Sequence, residues 1–387
     1  MDFDLSPEQQ AIRDTCRDFA REVIVPAAVD LDRDHKFGYD VVRQMGELGL
    51  FGLPFSEEAG GAGADFLSLC IAIEEISRGD AGIGITLEAA VCLGSAPIYD
   101  FGTAEQKARW LPDLLSGNKL WSFGLTEPEA GSDAGATKTR AEQRNGKWVI
   151  NGAKQFITNC GTDISAGVTI TAVTAKGTDG HPEITALMVP TGTPGYHVLE
   201  SYRKLGWHSS DTHPLSFEDC EVPAENLLGA RGGGYRQFLH TLTGGRIAIA
   251  ALSVGLAQAC LDASLAYAKE RRSFGEPISK HQAIQFKLAD MATETEIART
   301  IVYRAAAAYG REGAETTDEV RMLAAMSKLY ASEASKRAAD NAVQIHGGYG
   351  FMEDYPVARY WRDVKVNEIG EGTSEVQRML IARLLGA

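Results

Sequence analysis

The sequence is poor in basic residues and in cysteine, and it lacks a long hydrophobic run. Its 387 residues include 38 Lys and Arg against 52 Asp and Glu, which leaves a formal net charge of −14 at pH 7. This excess of negative charge argues against a general affinity for nucleic acid or for an anionic membrane. The longest nearly apolar stretch, residues 247–261, is shorter than the roughly 20 residues that cross a bilayer.

The cysteines are few and isolated. No two are closer than 22 positions, a spacing that fits neither a disulfide framework nor a zinc site. We interpret them as small buried hydrophobic residues in a reducing compartment. The N-terminal segment lacks the basic and apolar regions of an export signal and the Arg-rich pattern of a transit peptide, so we expect a cytoplasmic protein. The six are Cys16, Cys70, Cys92, Cys160, Cys220 and Cys260.

Several common catalytic motifs are missing as well. The Gly-Lys pair at 146–147 is followed by Trp148, so it is not a phosphate-binding P-loop, and no GxSxG nucleophile elbow occurs. The glycines at 232–234 follow a loop and not a strand, which argues against a dinucleotide-binding fingerprint. His208 and His213 lie in a polar loop without the spacing of metal ligands, so we expect no metal site.

The sequence does contain three regions of different composition. Residues 1–118 have helical spacing, and Ser6 before Pro7 fits a helix N-cap with proline at the first helical position. Residues 119–228 are richer in Val, Ile, Thr and aromatic residues, which is typical of β-structure. From 229 to 387 the pattern returns to long helices. We therefore expect an N-terminal helical domain, a middle β-domain and a C-terminal helical domain with these boundaries.

Turn and helix signals refine this outline. Asn-Gly and Asp-Gly pairs at 145–146, 151–152 and 179–180 stand in the middle region, where such pairs favour hairpin turns. Ser374 with Gln377 fits a capping box for a last helix. The buried face of that helix is predicted at Val376, Leu380 and Leu384. An apolar stripe with steps of three or four predicts another long helix through Ile284, Leu288, Met291, Thr295, Ala298, Val302 and Ala305.

Three segments are unusual enough to need explaining. FGLTEPEAGSDAG at 123–135 is rich in Gly, Ser and Thr, and fits either a ligand-binding loop or a plain inter-domain connection. QIHGGYG at 344–350 has adjacent glycines that allow close approach of a ligand or simply end a helix. IGEGTSEVQ at 369–377 places Glu371 between glycines before a helix, where an acid can be a general base or interact with the helix dipole.

Together with ERRSFG at 270–275 and KQFITN at 154–159, these segments resemble the acyl-CoA dehydrogenase family. The resemblance covers nearly the whole chain, with the five segments in the family's order and spacing. It implies an α+β fold with an N-terminal helical domain, a middle antiparallel β-domain and a C-terminal four-helix-bundle domain. It also implies an FAD enzyme of fatty acid metabolism and β-oxidation that oxidises acyl-CoA thioesters to trans-2-enoyl-CoA.

In this family FAD lies at the junction of the helical and β domains. The resemblance implies that the loop from Phe123 to Ser132 lines the flavin and that Thr158 hydrogen-bonds near its reactive nitrogen. Phe156 replaces the more usual Trp at the ring edge, which keeps an aromatic wall there. The implied flavin contacts of this group are Phe123, Leu125, Thr126, Gly131, Ser132, Phe156, Ile157, Thr158, Thr373 and Glu375.

A second group resembles the contacts that the family makes to FAD from a neighbouring subunit. Arg271 and Phe274 match its R-x-x-F motif, which reaches the pyrophosphate of the cofactor in another chain. A cofactor held by two chains implies an obligate oligomer, here a homotetramer built as a dimer of dimers. The group consists of Arg271, Ser273, Phe274, Gln282, Gln344, Ile345, Gly347 and Gly348.

Glu371 is the candidate catalytic base. The α-proton of a thioester is weakly acidic, so its removal needs a desolvated carboxylate with a raised pKa, and hydrogen bonds that stabilise the developing enolate. The resemblance implies hydride transfer to the flavin and substrate contacts from Ser132, Arg246 and Gly372. Isovaleryl-CoA dehydrogenases carry their base just before the arginine that matches Arg246. This chain has Gly245 at that position, which favours Glu371 as the base.

Two further departures from relatives bear on the acyl chain. Glutaryl-CoA dehydrogenases carry an arginine for the distal carboxylate where this chain has Gly84, which disfavours a dicarboxyl substrate. Straight-chain relatives usually have Tyr before the base, where Gly370 leaves more room here. We expect a short or branched acyl chain, and we expect residues 85–93 to form the floor of its pocket. The sequence does not predict a definite chain length.

The electron acceptor and the thioester carrier leave alternatives open. The length of the sequence favours a dehydrogenase that passes electrons to an electron-transfer flavoprotein over an acyl-CoA oxidase. An acyl-carrier-protein substrate and a non-catalytic thioester-binding protein remain possible readings. A flavin monooxygenase of the same fold would lack the acid at position 371, so the presence of Glu371 argues against it.

Overall fold

The computed structural model describes residues 4–177, 181–311, 313 and 317–387. Helices occupy the first and last parts of the chain and strands the middle, which confirms the α, β, α order predicted from composition. The predicted turn at 179–180 lies outside the described residues.

The N-terminal part is helical from the first turn. Ser6 caps the first helix, because its side chain accepts from the Gln9 N–H while the Gln9 side chain accepts from the Ser6 N–H. Pro7 takes the first helical position, so this predicted cap is confirmed. The helices are α1 (Pro7–Phe19), α2 (Val25–Asp34), α3 (Tyr39–Glu47), α4 (Phe66–Gly79), α5 (Ala81–Glu88), α6 (Ala96–Phe101) and α7 (Ala104–Leu115).

Two of these helix pairs are joined by π-helical turns. Ala20–Ile24 connects α1 to α2, and Ala89–Ser95 connects α5 to α6. A π-turn inserts an extra residue into the helix and is frequent at functional sites. As a result Ala81–Phe101 is one continuous helical run, and Glu88 lies just before its widened part.

The middle part forms one seven-stranded sheet of mixed direction. The strands are β1 (Leu120–Gly124), β2 (Arg140–Arg144), β3 (Lys147–Thr158), β4 (Ser165–Lys176), β5 (Pro182–Pro190), β6 (Tyr196–Val198) and β7 (Thr212–Pro223). Their order is β1-β4-β2-β3-β7-β6, and β5 also pairs with β4. The middle domain was expected to be antiparallel, and this was wrong for two strand pairs. β1 runs parallel to β4, and β2 also pairs with β4 in the parallel direction.

The two described Asn-Gly pairs behave differently. Asn145 and Gly146 both have positive φ angles, 50° and 74°, and form the predicted turn between β2 and β3. Asn151 and Gly152 lie inside β3 at a break in its register with β7, so the prediction of a turn there was wrong. A Cβ atom at Gly152 would come within 2.5 Å of Thr139 Oγ1, so the glycine permits close strand packing instead.

The described residues of the C-terminal part form three long helices and two short ones. They are α8 (Gly234–Glu270), α9 (Gln282–Tyr309), α10 (Asp318–His346), α11 (Pro356–Asp363) and α12 (Ser374–Leu384), with the small hairpin β8 (Arg272–Ser273) and β9 (Glu276–Pro277) after α8. The long helices pack on one another, and α12 packs on α10 to complete the bundle. The predicted stripe of α9 faces the core from Met291 to Ala305, while Ile284 and Leu288 are partly buried at its edge.

Among the described residues, two helical runs are long and apolar enough to cross a membrane by length and composition. They are Ala81–Phe101 and Gly234–Glu270, and the second extends well beyond the 247–261 stretch singled out in the sequence. In their most apolar windows 89% and 78% of the residues are buried inside the protein, as expected of core helices.

The start of α12 differs from its prediction by one residue. Thr373 is the N-cap, because its hydroxyl accepts from the Val376 N–H at 3.3 Å, so the capping box expected from Ser374 and Gln377 was wrong. The Gln377 amide donates instead to the carbonyl of Gly372 at 2.9 Å. The predicted buried face at Val376, Leu380 and Leu384 is only half-buried in a single chain.

Candidate active site

Glu371 stands in a tight reversal between α11 and α12. Its φ angle of 54° and that of Gly372, 95°, are both left-handed, and they turn its side chain into the protein. Both carboxyl oxygens are buried without a hydrogen-bond partner of ordinary geometry among the described residues. Burial raises the pKa of Glu371 to about 7, against the opposing effects of the adjacent acid Glu88 and of the cations Lys328 and Arg246.

The two cations hold the backbone of this reversal. Arg246 on α8 donates from Nε to the Glu371 carbonyl at 3.3 Å, and Lys328 on α10 donates from Nζ to the Gly372 carbonyl at 2.8 Å. Both side chains are buried, and burial lowers the pKa of Lys328 to about 8 although Glu371 works the other way. The loop is therefore fixed through its carbonyls, which leaves the carboxylate of Glu371 free to act on another molecule.

Gly245 makes the space that the Glu371 carboxyl fills. A Cβ atom at residue 245 would lie 2.3 Å from Oε2 of Glu371 and 3.0 Å from its Cδ. Even the smallest side chain on this turn of α8 therefore overlaps the acid. An acid at position 245 and an acid at 371 cannot both occupy this space unless the Glu371 side chain shifts.

The predicted flavin loop and the end of β3 lie side by side. The Gln155 N–H donates to the Thr126 carbonyl at 2.8 Å, which joins the two segments directly. Phe123 stacks on Phe238 of α8 with ring centres 4.1 Å apart, so the loop also contacts the C-terminal helices. The structure thus brings the two segments together at the junction of the helical and β parts.

The exposed face of this junction is open to a ligand. Phe156 has a φ angle of 61°, which turns its ring outward to 63% exposure, with Tyr202 at 5.2 Å. Gly131 and Ser132 are exposed, Thr158 is half-buried, and Ile157 and Leu125 point into the protein. Backbone groups and hydroxyls therefore line a surface that the described chain leaves uncovered.

A buried ion pair fixes this loop to the sheet. The side chain of Lys154 is fully buried, and its Nζ donates to Oε1 of Glu127 at 2.7 Å, to the Leu125 carbonyl at 3.2 Å and to Thr171 Oγ1 at 3.0 Å. Glu127 also accepts from the Thr139 N–H at 3.1 Å. The shape of the loop therefore depends on a charge pair, which the sequence reasoning did not identify.

The second predicted group lies at the far ends of α8 and α10. Arg271, Ile345, Gly347 and Gly348 line a cavity of about 470 Å³, and the Arg271 guanidinium lies 5.3 Å above the Tyr349 ring. Neither glycine would bring a Cβ within 4 Å of another heavy atom, so the cavity is open there. The other lining residues are Tyr267, Ile278, His346, Tyr349 and Met352.

The remaining predicted residues surround these sites. Ser273 is in β8, Gln282 begins α9, and Gln344 lies in the last turn of α10. Phe274 is 97% exposed at the hairpin tip with a left-handed φ of 50°, and its ring lies edge-on to that of His281 with ring centres 5.9 Å apart. Glu375 is exposed on α12, next to the capping residue Thr373.

Sequence reasoning missed three buried charged residues near the site: Glu88, Lys328 and the partnered Lys154. A signal existed for Glu88, since it is the only charged residue in the apolar run 81–99. Lys328 stands in a helix rich in Ala and Ser, where nothing in the sequence distinguishes it from an exposed lysine. Its burial follows from packing between helices, which the local sequence does not report.

Comparison with known proteins matches the chain along its length. Three family models fit it: acyl-CoA dehydrogenase, N-terminal domain, over residues 6–118; middle domain, over 122–220; and C-terminal domain, over 232–386. "Probable acyl-CoA dehydrogenase YngJ" of Bacillus subtilis (strain 168) is 51% identical over 385 residues, which cover 100% of both chains.

Solved structures agree with this match. Butyryl-CoA dehydrogenase from Megasphaera elsdenii has a TM-score of 0.94 and 41% identity, with 100% of both chains covered. A chain in a structure described as the electron transferring flavoprotein of Acidaminococcus fermentans has a TM-score of 0.95 and 44% identity, covering 100% of this chain and 99% of that one. Both the sequence and the backbone therefore follow one family from end to end.

Proposed function

The chain belongs to the acyl-CoA dehydrogenase family of FAD-dependent oxidoreductases, and we propose that it oxidises a short or branched-chain acyl-CoA to the trans-2-enoyl-CoA. One observation carries the proposal. Glu371 offers a buried carboxyl with a pKa of about 7, held in a fixed loop and facing the space left by Gly245. A base for a weakly acidic C–H bond needs this combination of desolvation and fixed position.

The residues present fit FAD. The open face formed by Thr126, Ser132, Phe156 and Thr158 offers hydroxyls, backbone N–H groups and an aromatic wall to a flavin ring. The cavity beside Arg271 offers a guanidinium and a glycine pair to a pyrophosphate. When bound, FAD supplies a two-electron acceptor for the hydrogen that leaves the β-carbon.

The protein's own part in the reaction is proton removal and orientation. The Glu371 carboxylate takes the α-proton, so a C–H bond breaks as an O–H bond forms at the acid. Arg246 and Lys328 keep the loop from moving as the charge on Glu371 is neutralised. Leu93, the pocket-floor residue whose Cδ2 borders the same space beside Gly245, helps keep water from the acid.

The acyl chain is limited by glycines around the base. An added Cβ at Gly84 would lie 2.0 Å from Ser77 Oγ, so α4 and α5 pack too closely there for an arginine side chain. This packing argues against a dicarboxyl substrate, as the sequence did. A Cβ at Gly370 would meet only the Val366 carbonyl, at 3.5 Å, so the space beside the base is open to a branched chain. The butyryl-CoA dehydrogenase of M. elsdenii is consistent with a short one.

The partners follow from the same reasoning. We propose that an electron-transfer flavoprotein accepts the electrons, which the similarity to a chain in the A. fermentans structure supports. We also propose a homotetramer. The exposed Phe274 and the open cavity beside Arg271 support it, because both leave surface that a second chain could cover.

The test is anaerobic reduction of the bound flavin by a panel of thioesters: butyryl-, isobutyryl-, isovaleryl-, octanoyl- and glutaryl-CoA. We expect bleaching by a short or branched member and none by glutaryl-CoA. Glu371→Gln should retain FAD and lose reduction by at least about 10³-fold, because the amide cannot accept the proton. Glu319→Gln, which changes an exposed acid in the first turn of α10, is the control and should reduce normally.

Near-normal reduction in Glu371→Gln would refute the assignment of the base. Rapid bleaching by glutaryl-CoA would refute the proposed acyl class. Oxygen consumption during turnover without an added acceptor would make the enzyme an oxidase instead.

A further inference from the structure

Glu88 is a buried acid for which the proposed reaction has no established use. It ends α5, its side chain is fully buried, and neither of its oxygens has a hydrogen-bond partner of ordinary geometry among the described residues. An unpaired buried carboxyl costs free energy, so its presence in an otherwise apolar helical run needs an explanation.

The position of Glu88 supplies one. Its carboxyl lies within hydrogen-bonding reach of that of Glu371, and Leu93, one turn further along the same helical run, borders the same space beside Gly245. Gly245 creates that space, and the π-turn at Ala89–Ser95 begins immediately after Glu88. Two acids from elements far apart in the sequence therefore meet in one desolvated pocket.

The charges around the pair are not symmetric. The cations that face it, Arg246 on α8 and Lys328 on α10, hold the loop that carries Glu371. On the side of Glu88 the titratable neighbours are the thiols of Cys70 and Cys92, whose pKa values burial raises well above the usual range. Negative charge is therefore more stable on Glu371 than on Glu88.

Two adjacent buried carboxyls cannot both ionise at low cost. Burial and the neighbouring Glu371 raise the pKa of Glu88 well above its ordinary value, whereas that of Glu371 is raised only to about 7. Because Arg246 and Lys328 face the loop of Glu371, a single proton shared by the pair is placed more favourably on Glu88.

We propose that Glu88 is a positioning residue for the base: as a neutral acid it donates a hydrogen bond to the Glu371 carboxylate, and the two act as a one-proton pair. The inference rests on the proposed function, in which Glu371 is the base. During the reaction Glu371 gains the α-proton and Glu88 keeps its own, so no further reactant is needed. The hydrogen bond keeps the Glu371 carboxylate ionised and fixes its orientation before substrate binds.

The first test measures protonation without turnover. Infrared difference spectra of the holoenzyme, wild type minus Glu88→Gln, report the state of residue 88, because carboxylic acids and carboxylates absorb in separate bands. At about pH 8 we expect a protonated signal from Glu88, and a carboxylate signal from Glu371 in the spectrum of wild type minus Glu371→Gln. An ionised Glu88 at that pH would overturn the proposal.

The second test is the pH profile of flavin reduction by the panel thioester that reacts fastest. A hydrogen bond to a charged group corresponds to about one to two pH units, so Glu88→Met should raise the apparent pKa of the base by that amount. Glu88→Gln keeps a donor and should raise it less. Cys70→Ala, which removes a neighbour of Glu88 but no carboxyl, should leave the profile unchanged and lower only the melting temperature.

The two proposals fail in different ways. If Glu88→Met and Glu88→Gln leave the apparent pKa where it is in wild type, Glu88 does not position the base. If Glu371→Gln still reduces the flavin, the proposed function itself fails, whatever the infrared spectra report.

Discussion

A single missing methyl group at Gly245 decides where the Glu371 carboxyl can lie. The Cβ of an alanine there would stand 2.3 Å from Oε2, well inside van der Waals contact. Since the acid is held through its backbone by Arg246 and Lys328, the carboxyl cannot move aside without leaving its place. Catalysis at this residue therefore depends on the absence of a neighbour's side chain as much as on the acid.

Gly245→Ala should therefore slow anaerobic flavin reduction by about 100-fold, since a displacement near 1 Å of a reacting group has that effect. Stopped-flow absorbance of the flavin measures it. Gly244→Ala is the matched control: its Cβ would lie 3.0 Å from the Tyr309 hydroxyl, a side chain that can adjust. A reduction rate in Gly245→Ala equal to that of the control would show that the carboxyl is not confined as described.

The sequence was sufficient to single out Glu371 but not its surroundings. An acid between two glycines before a helix is visible in the local sequence. Gly245 was also recognisable as a residue that has no side chain to act as the base. The meeting of Glu88 with Glu371 was not predictable, because it depends on how α5 packs beside a loop from the other end of the chain. Local patterns identify the candidate reactive residues, whereas tertiary packing determines which residues they contact.

At the scale of elements, the buried pair of Lys154 and Glu127 fixes the loop that would contact the flavin. Lys154→Met leaves Glu127 buried with an uncompensated charge, which typically destabilises a protein by about 3–5 kcal/mol. We expect a lower melting temperature and a lower ratio of FAD to protein after gel filtration. Adding Glu127→Gln to Lys154→Met should recover much of the stability, because no lone charge then remains.

Lys147→Met is the matched control for this prediction. Lys147 lies on the same strand and pairs with Glu221 at 2.8 Å, but both side chains are about half exposed. An exposed pair contributes little, so its loss should change neither stability nor FAD content measurably. Equal effects of the two substitutions would mean that the buried pair does not hold the loop.

Element boundaries show where local rules succeed and where packing overrides them. The cap at Ser6 and the turn at 145–146 follow from nearby residues alone, and both were predicted. The pair at 151–152 has the Asn-Gly sequence that is typical of a turn, but it lies in a strand that must pass close to Thr139. The cap of α12 moved to Thr373 because Gln377 is engaged with the carbonyls of the active-site loop.

At the scale of the whole molecule, one ion cluster joins all three parts of the chain. Asp32 of α2 pairs with His208, in the loop before β7, at 2.9 Å and with Arg362 of α11. Burial favours protonation of Asp32, but hydrogen bonds from His208 and Arg362 outweigh it and lower its pKa. The hydrogen bond from Asp32 raises the pKa of His208, although burial opposes the rise.

The pH dependence of this cluster follows from the two directions. A lowered acid pKa contributes stability above about pH 4 that is lost as the pH falls, and a raised histidine pKa contributes stability that is lost as the pH rises above about 6.5. Asp32→Asn should therefore lower the melting temperature most near pH 6, by an amount corresponding to about 2–4 kcal/mol, and less near pH 8.

Asp30→Asn on the same helix is the control, since Asp30 pairs with Arg33 at an exposed site. It should leave the melting temperature nearly unchanged at every pH. A deficit in Asp32→Asn that does not vary with pH would exclude His208 from the cluster.

The α, β, α order of the molecule was predictable from composition, but the contacts that join its three parts were not. Regional composition reports which kind of element forms, because apolar spacing and β-branched content are local properties. Contacts such as that between Asp32 and Arg362 involve residues from opposite ends of the chain, and neither has a distinctive neighbourhood in the sequence. The direction of β1 beside β4 was missed for the same reason.

The overlap at Gly245 also constrains how such a protein can change over generations. Positions 245 and 371 compete for one volume, so an acid gained at the first displaces the carboxyl of the acid at the second. A lineage that moves its base from the loop at position 371 to position 245 on α8 must pass through a form with no base or with two colliding ones. Single substitutions are then selected against, and the two arrangements should persist as separate lineages with few intermediates between them.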